Sequence, residues 1–90
     1  MAAVHLKIVG QVQRVGFRWF ARVNGRRLQL AGWVMNLPDG GVEVAASGRD
    51  DKVEEFRKLL SKGPDGAVVS DVLDLGPVDG ELEFPFAMRR

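Results

Sequence analysis

The sequence predicts an α+β domain in which an antiparallel sheet carries two helices on one face. Three observations lead there. Apolar residues alternate with period two in several short stretches, two intervening stretches switch to helical spacing, and Pro38-Asp39-Gly40-Gly41 marks a tight turn between two of the strands. Ninety residues with 46% hydrophobic side chains suffice for one core and are too few for two.

Val4, Leu6 and Ile8 alternate with His5 and Lys7, which predicts a first strand over roughly 3–10 with one buried face. The loop Gly10 to Gly16 follows. Phe17, Phe20, Ala21 and Leu28 then share one face at helical spacing while Arg18, Arg22, Arg26 and Arg27 fall elsewhere, giving a helix of about three turns. Leu30 to Leu37 reads as a second strand, and Val42, Val44 and Ala46 as the inward residues of a third, so a hairpin spans roughly 31–47. Ser47-Gly48-Arg49-Asp50 resembles a helix start with acidic residues in its first turn. Val53, Phe56, Leu59 and Leu60 form the apolar stripe of that helix, and Gly63-Pro64 closes it. Ala67 to Leu75 is a fourth strand. After Gly76-Pro77 and Asp79-Gly80, Leu82, Phe84 and Phe86 alternate as a short last strand, which Pro85 confines to a sheet edge. The order strand, helix, hairpin, helix, strand is the split β-α-β, ferredoxin-like arrangement, βαββαβ plus a short edge strand.

Composition removes several classes of function. Thirteen basic and twelve acidic side chains leave a formal charge of +1, too little for a nucleic-acid binder that relies on a broad positive field. The third strand, Val42 to Ser47, carries no aromatic and one acid, unlike the base-stacking sheets of RNA-recognition modules that share this arrangement. There are no cysteines, so disulfides, thiolate zinc sites and thiol nucleophiles are excluded. The one histidine, His5, cannot form a cluster and is expected at the surface. Asp50, Asp51, Glu54 and Glu55 complement a helix dipole and do not converge as metal ligands would. No apolar run approaches the ~20 residues of a membrane span, and the first residues lack the plan of a signal peptide. The expected protein is soluble, cytoplasmic and monomeric, without nucleic-acid or membrane partners.

The segment Gly10-Gln11-Val12-Gln13-Arg14-Val15-Gly16-Phe17-Arg18 leaves a strand and enters a helix. Backbone N–H groups at a helix start lack intrahelical partners and meet the positive end of the helix dipole, so a phosphate can be held there. Arg18 adds fixed charge and a planar fork of donors. In the expected topology strands one and two run parallel with strand three between them, so this loop and Asn36, at the end of strand two, become neighbours. Val34 and Asn36 share one face of that strand, Trp33 and Met35 the other, where Trp33 can cover the open side of the sheet. Asp39 is expected to serve the turn, and Gly10 and Gly16 close backbone approach around the loop.

Val12-Gln13-Arg14-Val15-Gly16-Phe17-Arg18, Gly32-Trp33-Val34-Met35-Asn36, Asp39-Gly40-Gly41-Val42-Glu43 and Gly48 together resemble the acylphosphatase family in order and spacing. Gly63-Pro64, Ala67, Val69, Phe84 and Phe86 extend the resemblance over nearly the whole chain, a single acylphosphatase-like domain from 1 to 90. The resemblance implies hydrolysis of carboxyl–phosphate anhydrides without metal or cofactor. It places the phosphate-binding arginine on Arg18 and the catalytic asparagine on Asn36. The residues suit that chemistry: a carboxylate leaves readily, so positioning and charge stabilisation remain, from the N–H groups of Arg14, Val15, Gly16, Phe17 and Arg18 and from the Arg18 guanidinium, with Asn36 orienting water. A cysteine-dependent phosphate loop carries a thiol six residues before its arginine; here that residue is Val12, which rules out a phosphocysteine. The alternative is a non-catalytic or regulatory domain of the kind fused to larger maturation enzymes. Three departures from the family pattern are expected to act on stability. Arg14 stands at a cradle glycine and costs ~1 kcal/mol if its φ is positive. Asn24 and Gly25 weaken the first helix, and Gln29 replaces a helix-terminating glycine.

Overall fold

Alternation and helical spacing translate into β1 (Ala2–Gln11), α1 (Phe17–Arg27), β2 (Ala31–Asn36), β3 (Val42–Gly48), α2 (Asp50–Lys62), β4 (Val68–Asp74) and β5 (Ala87–Met88). The computed structural model describes residues 1–78 and 80–90; Asp79 of the expected Asp79-Gly80 turn lies outside the described residues. The sheet order is β4-β1-β3-β2-β5, and β3 pairs antiparallel with both β1 and β2. β1 and β2 are therefore parallel, as the sequence requires, while the parallel β2/β5 ladder makes the sheet mixed. Among the described residues, no helix is long and apolar enough to cross a membrane.

Register explains which residues reach the core. Leu6, Val44 and Val34 form one cross-strand row, followed by Ile8, Val42 and Asn36, all on the face that both helices cover. Phe17 and Ala21 of α1 and Val53, Phe56 and Leu60 of α2 complete the buried cluster. The opposite face carries the row His5, Ala45, Trp33. Trp33 is only 6% exposed there, with the His5 ring edge-on at 6.0 Å and the Arg89 guanidinium 4.7 Å from its centroid. His5 is accordingly not the surface histidine expected. Its side chain is mostly buried, and Nε2 donates to Glu43 Oε2 at 2.5 Å.

The last segment also differs from expectation. Leu82, Phe84 and Phe86 do not form a strand; pairing starts only at Ala87, beyond Pro85, which has no N–H to give a ladder. Phe86 turns fully into the core, edge-on to Phe56 at 5.4 Å, while Phe84 is 70% exposed. The Phe86 ring explains Gly25. A Cβ at position 25 would lie 2.6 Å from Phe86 Cγ, so the glycine that weakens the helix admits the ring. Arg26 Nε donates to the Phe86 carbonyl at 2.8 Å. α1 ends in a Schellman motif, with Leu30 N–H donating to Gly25 O and Gln29 N–H to Arg26 O. Gln29 takes the left-handed position, φ 57°, that a glycine would fill without strain.

Gly25→Ala is expected to destabilise the fold by about 1–3 kcal/mol, the overpacking term exceeding the gain in helix propensity. Chemical denaturation checks the sign; a more stable variant would show that Phe86 yields easily.

Candidate active site

Three elements converge at one end of the sheet: the β1–α1 loop, the start of α1 and the end of β2. They enclose a cavity of about 250 Å³ bordered by Val12, Arg14, Gly16, Phe17, Arg18, Trp19, Asn36 and Met88. Four of the five expected cradle residues and Asn36 are thus together. Val15 does not border the cavity; its side chain packs against the core.

The loop is shaped by two departures from ordinary backbone, on either side of Val15. Arg14 has φ 63°, in the left-handed region, so the strain expected of a side chain at this position is present. Gly16 is the N-cap of α1 with φ 77° and ψ 21°. A Cβ there would meet nothing within 4 Å, so Gly16 serves conformation and not the close approach expected of it. Gly10 does serve close approach, because a Cβ would lie 2.1 Å from the Val68 carbonyl of β4. Among the described residues, no backbone acceptor meets the N–H groups of Arg14 through Arg18, while Gly16 O already accepts from Phe20 N–H. The first turn of α1 holds no acid, whereas α2 opens with Asp50 and Asp51. The positive dipole end of α1 is therefore uncompensated by its own side chains, and that of α2 is not.

Arg18 is held from the far end of the chain. Its Nη1 donates to the Arg89 carbonyl at 3.0 Å, which leaves other donors of the fork for a ligand. Arg89 is itself fixed: its N–H donates to Val34 O at 2.7 Å, its guanidinium lies over Trp33, and it pairs with Glu83. Gln13, for which no role was expected, ties the loop to the hairpin. Its Nε2 donates to Leu37 O and Gly41 O, both at 2.8 Å, and so sets the loop beside Asn36.

Other polar residues are engaged elsewhere. Asp39 Oδ1 accepts the Gly41 N–H at 2.9 Å and Oδ2 pairs with Lys7, which is turn chemistry outside the cavity. The Lys7 hydrogen bond, then the Gly41 N–H, hold its carboxyl below the ordinary 3.8. Arg27 pairs with Glu55 at 3.2 Å, and Arg22 lies 5.0 Å from the Trp19 ring centroid. Trp19 and Met88 border the cavity without having been singled out in the sequence. An exposed aromatic one residue past Arg18 was the available signal for Trp19; Met88 gave none.

A ferredoxin-like α+β domain with an arginine-lined anion cradle at a helix start is the class these features define. The acylphosphatase family model matches residues 4–79. An acylphosphatase of Caldivirga maquilingensis is 45% identical over 82 residues, covering 90% of this chain and 85% of that protein. The crystal structure of acylphosphatase from Bacillus subtilis superposes with a TM-score of 0.85 at 30% identity, covering all of both chains. T. kodakarensis HypF gives a TM-score of 0.81 at 34% identity over 99% of this chain but 12% of its own. The chain belongs to the acylphosphatase family and thus to the hydrolases.

Arg14→Gly is expected to gain about 0.5–1 kcal/mol of stability, the relief of left-handed strain exceeding the added entropy of the unfolded chain. A loss in chemical denaturation would instead reveal a contact that Arg14 contributes. Asp39 supplies a second test. A depressed folded value means that its stabilising contribution is present above the unfolded value and is lost as pH falls through the folded one. Asp39→Asn should therefore flatten the fall in stability below pH 3.8, the ordinary value, and denaturation series at several pH values check it.

Proposed function

We propose that this protein hydrolyses acyl phosphates to a carboxylate and inorganic phosphate by direct attack of water, without a metal, as a single-domain cytoplasmic monomer. The observation that carries this reading is the meeting of unpartnered loop N–H groups, the Arg18 guanidinium and Asn36 around one cavity. The phosphoryl oxygens take the N–H groups of Arg14 to Arg18 and the free donors of Arg18, where charge spreads in a loose phosphoryl-transfer transition state. Asn36 orients the water from the adjacent strand end. The water oxygen bonds to phosphorus, the phosphorus–oxygen bond to the acyl group breaks, and the electron pair leaves with the carboxylate. The proton of the water passes to a phosphoryl oxygen. Among the described residues, those bordering the cavity include no carboxylate or imidazole, so its donor set suits an anion and not a cation.

A second reading, a binding domain without turnover, draws on the likeness to one segment of T. kodakarensis HypF. Kinetics with acetyl phosphate in the presence of a chelator separates the two. Activity is expected to survive chelation, with competitive inhibition by inorganic phosphate; restoration by a divalent ion alone would overturn the metal-free route, and phosphate binding without turnover would favour the second reading. Asn36→Ala should lose about 10²–10³ in kcat while still binding phosphate, since one preorganised polar contact acts mainly in the transition state. Arg18→Ala and Arg18→Lys should lose activity and phosphate inhibition together, because lysine lacks the fork.

A further inference from the structure

We propose that Trp19 and Met88 form an acyl subsite that favours acyl phosphates with an aromatic acyl group; this rests on reading the cavity as an acyl-phosphate site. The cavity divides by chemistry. Arg14, Gly16 and Arg18 with their N–H groups, and Asn36, are its polar border, while Trp19 and Met88 border it with large, exposed apolar side chains beside the buried Val12 and Phe17. Phosphate does not fill it. At about 30 Å³ per water in the liquid, four phosphoryl oxygens take up roughly half of the volume at most. The remainder of the 250 Å³ is open to the group attached to phosphorus.

Both side chains are set for that role by their neighbours. Trp19 follows Arg18 on the first turn of α1, so the indole is fixed relative to the cradle by the same helix. Arg22, one turn on, stacks its guanidinium on the indole at 5.0 Å and restrains its orientation. Met88 precedes Arg89, whose carbonyl holds Arg18, so both apolar residues are sequence neighbours of the groups that place the guanidinium and border the same cavity. Trp19 is 59% exposed and Met88 43%, large apolar surfaces left in water beside a ligand site. An aromatic acyl group would cover them, meeting the indole edge-on or offset and the thioether at the ring edge. An acetyl group offers one methyl for such contact.

The test compares kcat/KM for benzoyl phosphate and acetyl phosphate in the parent, Trp19→Ala, Trp19→Phe and Met88→Ala. Both substrates meet the same enzyme, so any loss of folded fraction cancels in their ratio. The benzoyl-to-acetyl ratio is expected to fall by about three- to tenfold in Trp19→Ala, the range of one aromatic contact, through KM for benzoyl phosphate. Met88→Ala should lower it less, and Trp19→Phe should keep most of it. An active parent whose ratio is unchanged in Trp19→Ala, or both substrates weakened by one factor, overturns the subsite alone. A parent that hydrolyses neither substrate overturns the acyl-phosphate reading with it.

Discussion

The wedging of the Phe86 ring is the contact on which the rest of the structure depends. It enters against Gly25 of α1 and Gly32 of β2 and meets Phe56 of α2 edge-on, so one side chain joins both helices to the sheet. Its consequences run along the chain. With residue 86 fixed, Ala87 and Met88 fall into register beside Trp33 and Val34, and Arg89 arrives where its carbonyl accepts from Arg18. A buried aromatic that does not itself border the cavity thereby helps to aim Arg18. The two glycines that weaken their own elements make room for it, an exchange of local propensity for tertiary packing.

Charge in this protein is a matter of placement and not of quantity. A net charge of +1 is nearly neutral, yet the start of α1 combines free N–H groups, a positive dipole end and Arg18 with no acid in its first turn. Elsewhere cations are neutralised locally: Lys7 by Asp39, Arg27 by Glu55, Arg89 by Glu83. α2, entered from an extended N-cap at Arg49, meets its own positive end with Asp50 and Asp51, and Asp50 also pairs with the N-terminal amine. One of two helix starts is thus left open to an external anion.

Side-chain periodicity made most of the fold legible, because burial on one face of a strand or helix must repeat with the element's own period. The six longer elements, the parallel relation of β1 and β2 and the meeting of Asn36 with the loop all follow from it. Arg14 and Gln29 were legible too, as side chains at positions that turned out to have positive φ. What escaped involves partners without a sequence signature. Gln13 bonds to two carbonyls, and Arg18 to a third that lies 71 residues away. Backbone oxygens carry no residue identity. The alternation of Leu82, Phe84 and Phe86 misled because Pro85 breaks the ladder that such spacing normally serves, and His5 was misplaced because burial by Trp33 and Glu43 depends on cross-strand register.

The tether between Arg18 and Arg89 links the site to the least secured part of the sheet. β5 is joined to β2 through two residue pairs, while β1 is joined to β3 through seven. Opening of so short an edge requires far less free energy than unfolding the core. The guanidinium would then keep its place on the helix but lose its anchor, and the polypeptide would stay folded by every global measure. Such opening would be a local equilibrium with its own temperature and denaturant dependence, and an anion bound to the anchored arginine would shift it toward closure by mass action.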